Sequence, residues 1–321
     1  GTFLINCQWA PEELGNHLNA EAKRYIAKNN IQLYTVNAID LAAEIGLGKR
    51  TSTVLQSAFF KLANVLPAEE AIQYMKEKAE AKFSKKGQEI VDMNWKAIDA
   101  GCNALHEVAI PADWANAVDN GEKAKLEGEA KTVAMVEKLM NPIALMDGDS
   151  LPVSAFKDCA DGQFELGASA YEKRGTAVMV PEWDAAKCIQ CNNCAFVCSH
   201  ATIRPYLLSE AEGKAAPAGL VAVDTKPKAG QYKYTMSVSP LDCMGCGECV
   251  TVCPTAAIKM VPQETRLAEQ PVWDYLVKNV SKKTDSGYAD STVKGSQFNQ
   301  PLLEFSGSCA GCAETSYARL I

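Results

Sequence analysis

The stretch Cys188-Ile189-Gln190-Cys191-Asn192-Asn193-Cys194-Ala195-Phe196-Val197-Cys198 spaces its thiols as C-x2-C-x2-C-x3-C. Cys243-Met244-Gly245-Cys246-Gly247-Glu248-Cys249-Val250-Thr251-Val252-Cys253 repeats that spacing, and Pro254 follows. A cubane iron–sulfur cluster needs four thiolates around a compact core. Three cysteines separated by two residues wrap one core in a tight loop, and the fourth comes from elsewhere. Two such runs can exchange their fourth ligands. The spacing therefore assigns Cys188, Cys191, Cys194 and Cys253 to a first [4Fe-4S] cluster, and Cys243, Cys246, Cys249 and Cys198 to a second. Gly245 and Gly247 let backbone N–H groups approach the sulfides and tolerate positive φ. Hydrogen bonds to those sulfurs tune the reduction potential.

The competing reading is a pair of zinc sites, which also use C-x2-C pairs. Zinc does not require the third and fourth cysteines at x2 and x3 in both runs. Disulfides fit poorly in a long chain with a low cysteine fraction and no secretory signal. The pattern is that of bacterial-type double-cluster ferredoxins, so the expected module is an α+β 2[4Fe-4S] ferredoxin-like domain that conducts electrons. A spacer of 44 residues separates Cys198 from Cys243. Its middle, Ala211 to Gly230, is rich in Ala, Gly, Lys and Pro and reads as a loop insertion.

The chain has 321 residues, 47% hydrophobic and 22% charged, enough for two or three domains with real cores. A formal net charge of −7 argues against nonspecific nucleic-acid binding. No run of 18 apolar residues is present, which argues against a membrane span. Thirteen cysteines in ligand-like spacing favour a reducing compartment, the cytoplasm or alternatively an anaerobic organelle. The opening Gly1-Thr2-Phe3-Leu4-Ile5-Asn6 reads as the inside of a strand. The end, Ala318 to Ile321, reads as a helix without a terminator. A piece of a longer polypeptide, or a chain resolved only in part, is expected.

Periodicity predicts strands at 3–6 and 31–36. Helices are predicted from Pro11 to about Lys28 and over 38–45, 54–66, 67–81 and 85–105. The β-α-β-α order suggests a partial doubly wound α/β domain. Asp119 to Met140 is charged and helix-prone, with Glu122 to Lys131 as a solvated helix face. Residues 141–182 read as an extended connector, about 183–262 as the cluster module, and Pro271 to Asn299 as a helix followed by a polar linker. Beyond the two cysteine runs no internal repeat is visible.

Cys309 and Cys312 form one more C-x2-C pair in Gly307-Ser308-Cys309-Ala310-Gly311-Cys312. A redox dithiol, half a zinc site, free thiols and half a cluster site all remain open from spacing alone. Cys7, Cys102 and Cys159 have apolar flanks and read as buried structural cysteines. His17, His106 and His200 lack ligand spacing and read as structural or solvated. Gly46-Leu47-Gly48-Lys49-Arg50-Thr51-Ser52 precedes a helix. Cations beside a helix N-terminus suit a phosphate, although an ordinary cap with a solvated basic loop explains the pattern equally well.

The chain resembles the pyruvate:ferredoxin oxidoreductase family over nearly all its length. The resemblance lies in Lys23 to Asn30, Ala58 to Ala63, Leu151 to Phe156, Glu172-Lys173-Arg174-Gly175, Cys188 to Asn192 and Gly307 to Cys312. It implies a coenzyme-A-binding α/β domain at 1–120, a connector at 121–165, the two-cluster domain at 166–282 and the start of a thiamine diphosphate domain at 283–321. It further implies that Cys309 and Cys312 ligate a third [4Fe-4S] cluster shared with residues elsewhere. Coenzyme A would meet Ser52 and Asn94, and thiamine diphosphate with Mg would lie near Glu314. Relatives commonly carry Asn where Ser52 stands, Pro where Ser199 stands, and Gly-Glu-Thr-Pro where Ala313-Glu314-Thr315-Ser316 stands. These departures put the coenzyme A contact and the placement of Glu314 in question, but remove no ligand.

The implied activity is oxidative decarboxylation of pyruvate with coenzyme A to acetyl-CoA and CO2. Electrons would pass to ferredoxin or flavodoxin in a homodimer completed by the rest of the polypeptide or by companion chains. Alternatives are a non-catalytic ferredoxin-like electron-transfer subunit, a zinc scaffold, or a pyruvate:NADP oxidoreductase fused to a flavoprotein domain.

Overall fold

In the computed structural model, residues 1–118, 125–227 and 229–321 are described. The expected boundary at 120/121 lies outside them. The chain forms two compact units, Gly1–Ala124 and Lys125–Ile321. Among the described residues no helix is long and apolar enough to cross a membrane.

The first unit runs β1 (Thr2–Asn6), α1 (Ala20–Lys28), β2 (Gln32–Val36), α2 (Ala38–Ile45), α3 (Ser52–Ala63), α4 (Ala68–Phe83), α5 (Gln88–Asn103) and β3 (His106–Val108). β1 and β2 are parallel, with Phe3 opposite Leu33. β3 adds an antiparallel strand that the sequence did not announce, with Val108 opposite Leu33. Three residues are too short for a visible period-2 pattern. The single helix expected from Pro11 to Lys28 is instead a 3-10 turn, Leu14–His17, followed by α1. Asn19 sits between them in extended geometry, and its side chain accepts from Ala22 N–H at 2.8 Å. An N-cap of that kind starts a new helix rather than continuing an old one. Asn64, left-handed at φ 48°, stops α3 before the expected end at 66. α3 and α5 touch so closely that a Cβ on Gly101 would lie 2.2 Å from the Val54 carbonyl oxygen.

The second unit begins with α6 (Ala130–Met135), which continues through a π-helical turn, Val136–Met140, into α7 (Asn141–Ala144). Of the solvated face expected over Glu122 to Lys131, residues 122–124 lie outside the described residues. Residues 125–129 are not helical. There follow β4 (Met179–Trp183), α8 (Asn193–Val197), β5 (Ile203–Leu208), α9 (Glu210–Ala215), β6 (Val223–Asp224), β7 (Lys233–Val238), α10 (Glu248–Thr251), β8 (Ile258–Pro262), α11 (Gln270–Asn279), α12 (Val293–Ser296) and α13 (Ala313–Leu320).

The repeat visible in the cysteines extends to the backbone. Moving 55 positions along takes Cys188 to Cys243, and it also takes β4 to β7, α8 to α10 and β5 to β8. β4 pairs antiparallel with β8, placing Trp183 opposite Ile258. β7 pairs antiparallel with β5, placing Val238 opposite Ile203, the same register one repeat on. Each half therefore pairs its two strands with those of the other half, which draws each fourth cysteine toward the opposite run. The supposed loop insertion is partly ordered. Ser209 and Glu212 form a reciprocal capping box that starts α9, and β6 adds to β7.

Candidate metal centre

Cys188, Cys191 and Cys194, from the first run, line one cavity together with Cys253 from the second. Trp183, Tyr234, Met236 and Ile258 close its apolar walls. The second group is read from mutual electrostatics: Cys249 lies in the field of Cys198, Cys243 and Cys246. Cys194 also feels Cys249, so the two groups are neighbours. The fourth cysteine of each run thus sits with the opposite run.

Backbone N–H groups aim at the sulfurs in matched pairs. Gln190 N–H donates to Cys188 Sγ at 3.3 Å, and Gly245 N–H to Cys243 Sγ at 3.4 Å. Thr202 N–H donates to Cys198 Sγ at 3.4 Å, and Ala257 N–H to Cys253 Sγ at 3.2 Å. Gln190 and Gly245 achieve this from left-handed backbone, φ 60° and 66°. Gln190 compensates with its side chain, which donates to Asp224 O at 2.7 Å and accepts from Lys226 N–H at 2.6 Å. The Asn192 amide donates to Lys294 O and accepts from the Tyr234 hydroxyl, both at 2.8 Å. These bonds tie the first loop to the ordered insertion and to α12.

Burial pushes the Cys243 and Cys249 thiols up to about 12 and the Cys194 thiol higher still. Cys253 moves the other way: burial raises it, but N–H groups of Thr255, Ala257 and Ile258 outweigh that effect. Buried thiolates crowded together need a cationic core to stabilise them. Four thiols around an apolar cavity, with amide donors behind them, fit a cluster. Among the described residues, no three His, Cys, Asp or Glu side chains converge as a single metal ion would require.

The third pair lies beside the second run. A Cβ on Gly311 would sit 3.2 Å from Cys246 Cβ and 3.8 Å from its Sγ. Cys309 is exposed and Cys312 partly so. The neighbouring Thr315, followed by the Glu314 backbone, holds the Cys312 thiol below its ordinary value. Cys7 is buried, while Cys102 is half-buried with its thiol 3.5 Å from Ser57 Oγ and Cys159 is also half-buried.

The coenzyme A candidates separate. Ser52 is exposed at the start of α3, beside exposed Lys49 and Arg50. Asn94 is 5% exposed; its amide donates to Ile90 O at 2.8 Å, and its oxygen accepts from Thr53 Oγ at 3.4 Å. Asn94 therefore supports the residue after Ser52. Glu314 is exposed in the first turn of α13.

Sequence reasoning read His200 only as structural or solvated and passed over the Arg204–Glu304 pair. Arg204 is buried and ion-paired to Glu304, its NεH donates to Ala201 O at 2.7 Å, and its guanidinium lies over the Trp273 and Phe305 rings. The available signal was the repeat itself: Ser199-His200 stand where Pro254-Thr255 stand one repeat on.

Along the chain, residues 1–104 match the family described as pyruvate ferredoxin/flavodoxin oxidoreductase, and residues 187–257 match the 4Fe-4S dicluster domain. Residues 122–177 match a domain of unknown function, EKR. A pyruvate-flavodoxin oxidoreductase of Klebsiella pneumoniae is 46% identical over all of this chain, which spans 27% of that relative. Residues 1–104 thus carry the domain of the pyruvate ferredoxin/flavodoxin oxidoreductases, and the whole chain is similar to part of them. A pyruvate:ferredoxin oxidoreductase of Moorella thermoacetica is 44% identical, again with 27% of its length spanned. A pyruvate dehydrogenase [NADP(+)] of Cryptosporidium parvum is 39% identical, with 18% spanned. The chain thus covers between 18% and 27% of the length of these three relatives.

Proposed function

We propose that this chain is the electron-conducting and coenzyme-A-binding segment of an enzyme that oxidatively decarboxylates pyruvate to acetyl-CoA and CO2. The observation that carries the reading is the exchange of fourth cysteines between two half-modules, in a chain that matches such oxidoreductases along its whole length. Cys188, Cys191, Cys194 and Cys253 hold one [4Fe-4S] cluster; Cys243, Cys246, Cys249 and Cys198 hold a second. Cys309 and Cys312 supply half of a third, beside the second. When bound, the clusters supply stepwise one-electron transfer. The chain's residues hold them close together, exclude water with Trp183, Tyr234 and Ile258, and set their potentials through the four N–H···S bonds.

Lys49, Arg50 and Ser52 receive phosphate groups of coenzyme A at the start of α3, where the helix dipole favours anions. Asn94 holds that turn in place. Glu314 contacts thiamine diphosphate with Mg, the rest of that site coming from other parts of the polypeptide. The expected division at 120/121, 165/166 and 282/283 stands as part of this proposal, as do a homodimer and a reducing compartment. Ferredoxin or flavodoxin is the proposed acceptor, because the relatives at 46% and 44% identity bear those names.

Iron and acid-labile sulfide counted after anaerobic purification, with coenzyme A titrated into the intact enzyme, test the reading. Both clusters and saturable binding are expected. Zinc without sulfide would overturn the conduction role, and absence of coenzyme A binding would leave only an electron-transfer subunit.

A further inference from the structure

The two half-modules correspond position by position, and the two residues after the fourth cysteine differ between them. Pro254-Thr255 in the second half become Ser199-His200 in the first. His200 is 2% exposed, and its hydrogen-bond partners belong to the segment carrying the third cysteine pair. Its backbone carbonyl accepts from Phe305 N–H at 3.0 Å. Its Nδ1 lies 3.2 Å from both the Ser306 hydroxyl and the Ser306 carbonyl oxygen, and its Nε2 lies 3.2 Å from the Cys309 carbonyl oxygen. Each ring nitrogen faces a carbonyl oxygen that can only accept; with the proton placed on Nε2, Nε2–H donates to Cys309 O and Nδ1 accepts from the Ser306 hydroxyl. One imidazole therefore bridges the peptide two residues past Cys198 to the peptide of Cys309.

We propose that His200 is the positioning residue that fixes the Cys309/Cys312 loop against the second cluster site and so sets the spacing across which electrons pass between them. The inference rests on the reading above that Cys198 and Cys309 serve different clusters. The step is one electron leaving the reduced centre at Cys309/Cys312 and entering the oxidised centre at Cys198. No bond forms and no proton moves. His200 touches neither reacting centre; it acts through the Cys309 carbonyl. The neighbouring Arg204–Glu304 pair holds the same segment from its other end, leaving the 305–309 stretch fixed at both sides.

Anaerobically purified full-length enzyme carrying His200→Ala, His200→Gln or His200→Asn tests this, with three readouts. These are iron and sulfide content, hydrogen exchange at residues 305–312, and the EPR spin–spin interaction in the fully reduced enzyme. His200→Ala should raise exchange there by about tenfold, the change expected for loss of one hydrogen bond. It should also weaken the spin–spin interaction. The Gln amide can reach the Cys309 carbonyl as Nε2 does, whereas the shorter Asn amide reaches only the Nδ1 position. Gln should therefore restore both signals and Asn should not. Unchanged exchange and coupling in His200→Ala, with all clusters present, would overturn the inference alone. Should Ala fail to accumulate, equal behaviour of Gln and Asn would overturn it. Absence of iron and sulfide from the unmutated enzyme would instead sink the cluster reading beneath it.

Discussion

Replacing Gly245 with alanine probes the second thiol loop at its tightest point. Gly245 has φ +66°, and a Cβ built there would lie 2.9 Å from Met179 O and 3.2 Å from Ala177 Cβ. Met179 opens β4, which is held by β8, so that carbonyl cannot retreat without moving a strand pair. Two costs add. The left-handed conformation costs an L-residue about 1–2 kcal/mol. Forcing a methyl into filled space costs about 1–3 kcal/mol more. Gly247 supplies the control: its φ is +83°, but a Cβ there meets nothing within 4 Å, so Gly247→Ala incurs only the first cost. Anaerobic thermal melts of the loaded protein should place both variants below the unmutated protein, with Gly245→Ala the lower. In a unit of this size the separation is about 2–4 °C per kcal/mol. Displacing the Gly245 N–H also lengthens its bond to Cys243 Sγ, now 3.4 Å. EPR redox titration should show the second cluster becoming harder to reduce, with the first unchanged. Equal melting of the two variants, or a shift confined to the first cluster, would refute the reasoning.

Other outcomes follow from the same geometry. Glu304→Ala leaves the buried Arg204 guanidinium without its carboxylate, beside Ala201 O, Tyr206 and two rings, and should cost about 3 kcal/mol in thermal melts. In metal-free protein, Cys243 and Cys249 stay protonated to about pH 12 when folded but only to about pH 9 when unfolded. The unfolded chain then releases protons first as pH rises. Apo-protein stability should be full below about pH 9 and fall between 9 and 12, read by denaturant titration. Arg50→Ala should weaken coenzyme A binding by calorimetry by about 0.3–1 kcal/mol, less so at high salt. Asn94→Ala should speed hydrogen exchange at the start of α3, with a loss of about 1–2 kcal/mol.

The cysteine spacing revealed the sulfur cages because ligand geometry is local: each loop must wrap a core of fixed size. From the spacing the fourth cysteines were expected to cross between the runs, and in the structure Cys253 lines the cavity of Cys188, Cys191 and Cys194. α2 was read with its ends correct because Asn37 caps it and Gly46 closes it in left-handed geometry. The break between Leu14–His17 and α1 was missed because Asn19 was read inside a helix rather than as its start. α9 escaped notice because its Ala, Gly and Lys composition looked loop-like, although Ser209 and Glu212 carried the capping signal. His200 was read as structural or solvated, but its partners were not legible. They depend on residues 306 and 309 coming back to residue 200, which no local pattern encodes. Asn94 was marked as a ligand contact, yet its packing against Thr53 appears only when α3 and α5 meet.

The most direct measurement is Mössbauer and EPR spectroscopy of anaerobically prepared Cys253→Ala and Cys198→Ala enzyme. Cys253→Ala should damage the cluster proposed for Cys188, Cys191 and Cys194, while Cys198→Ala should damage the one proposed for Cys243, Cys246 and Cys249. Loss of each cluster from the mutated residue's own run, or fewer than two cubanes in the unmutated protein, would contradict the crossed assignment.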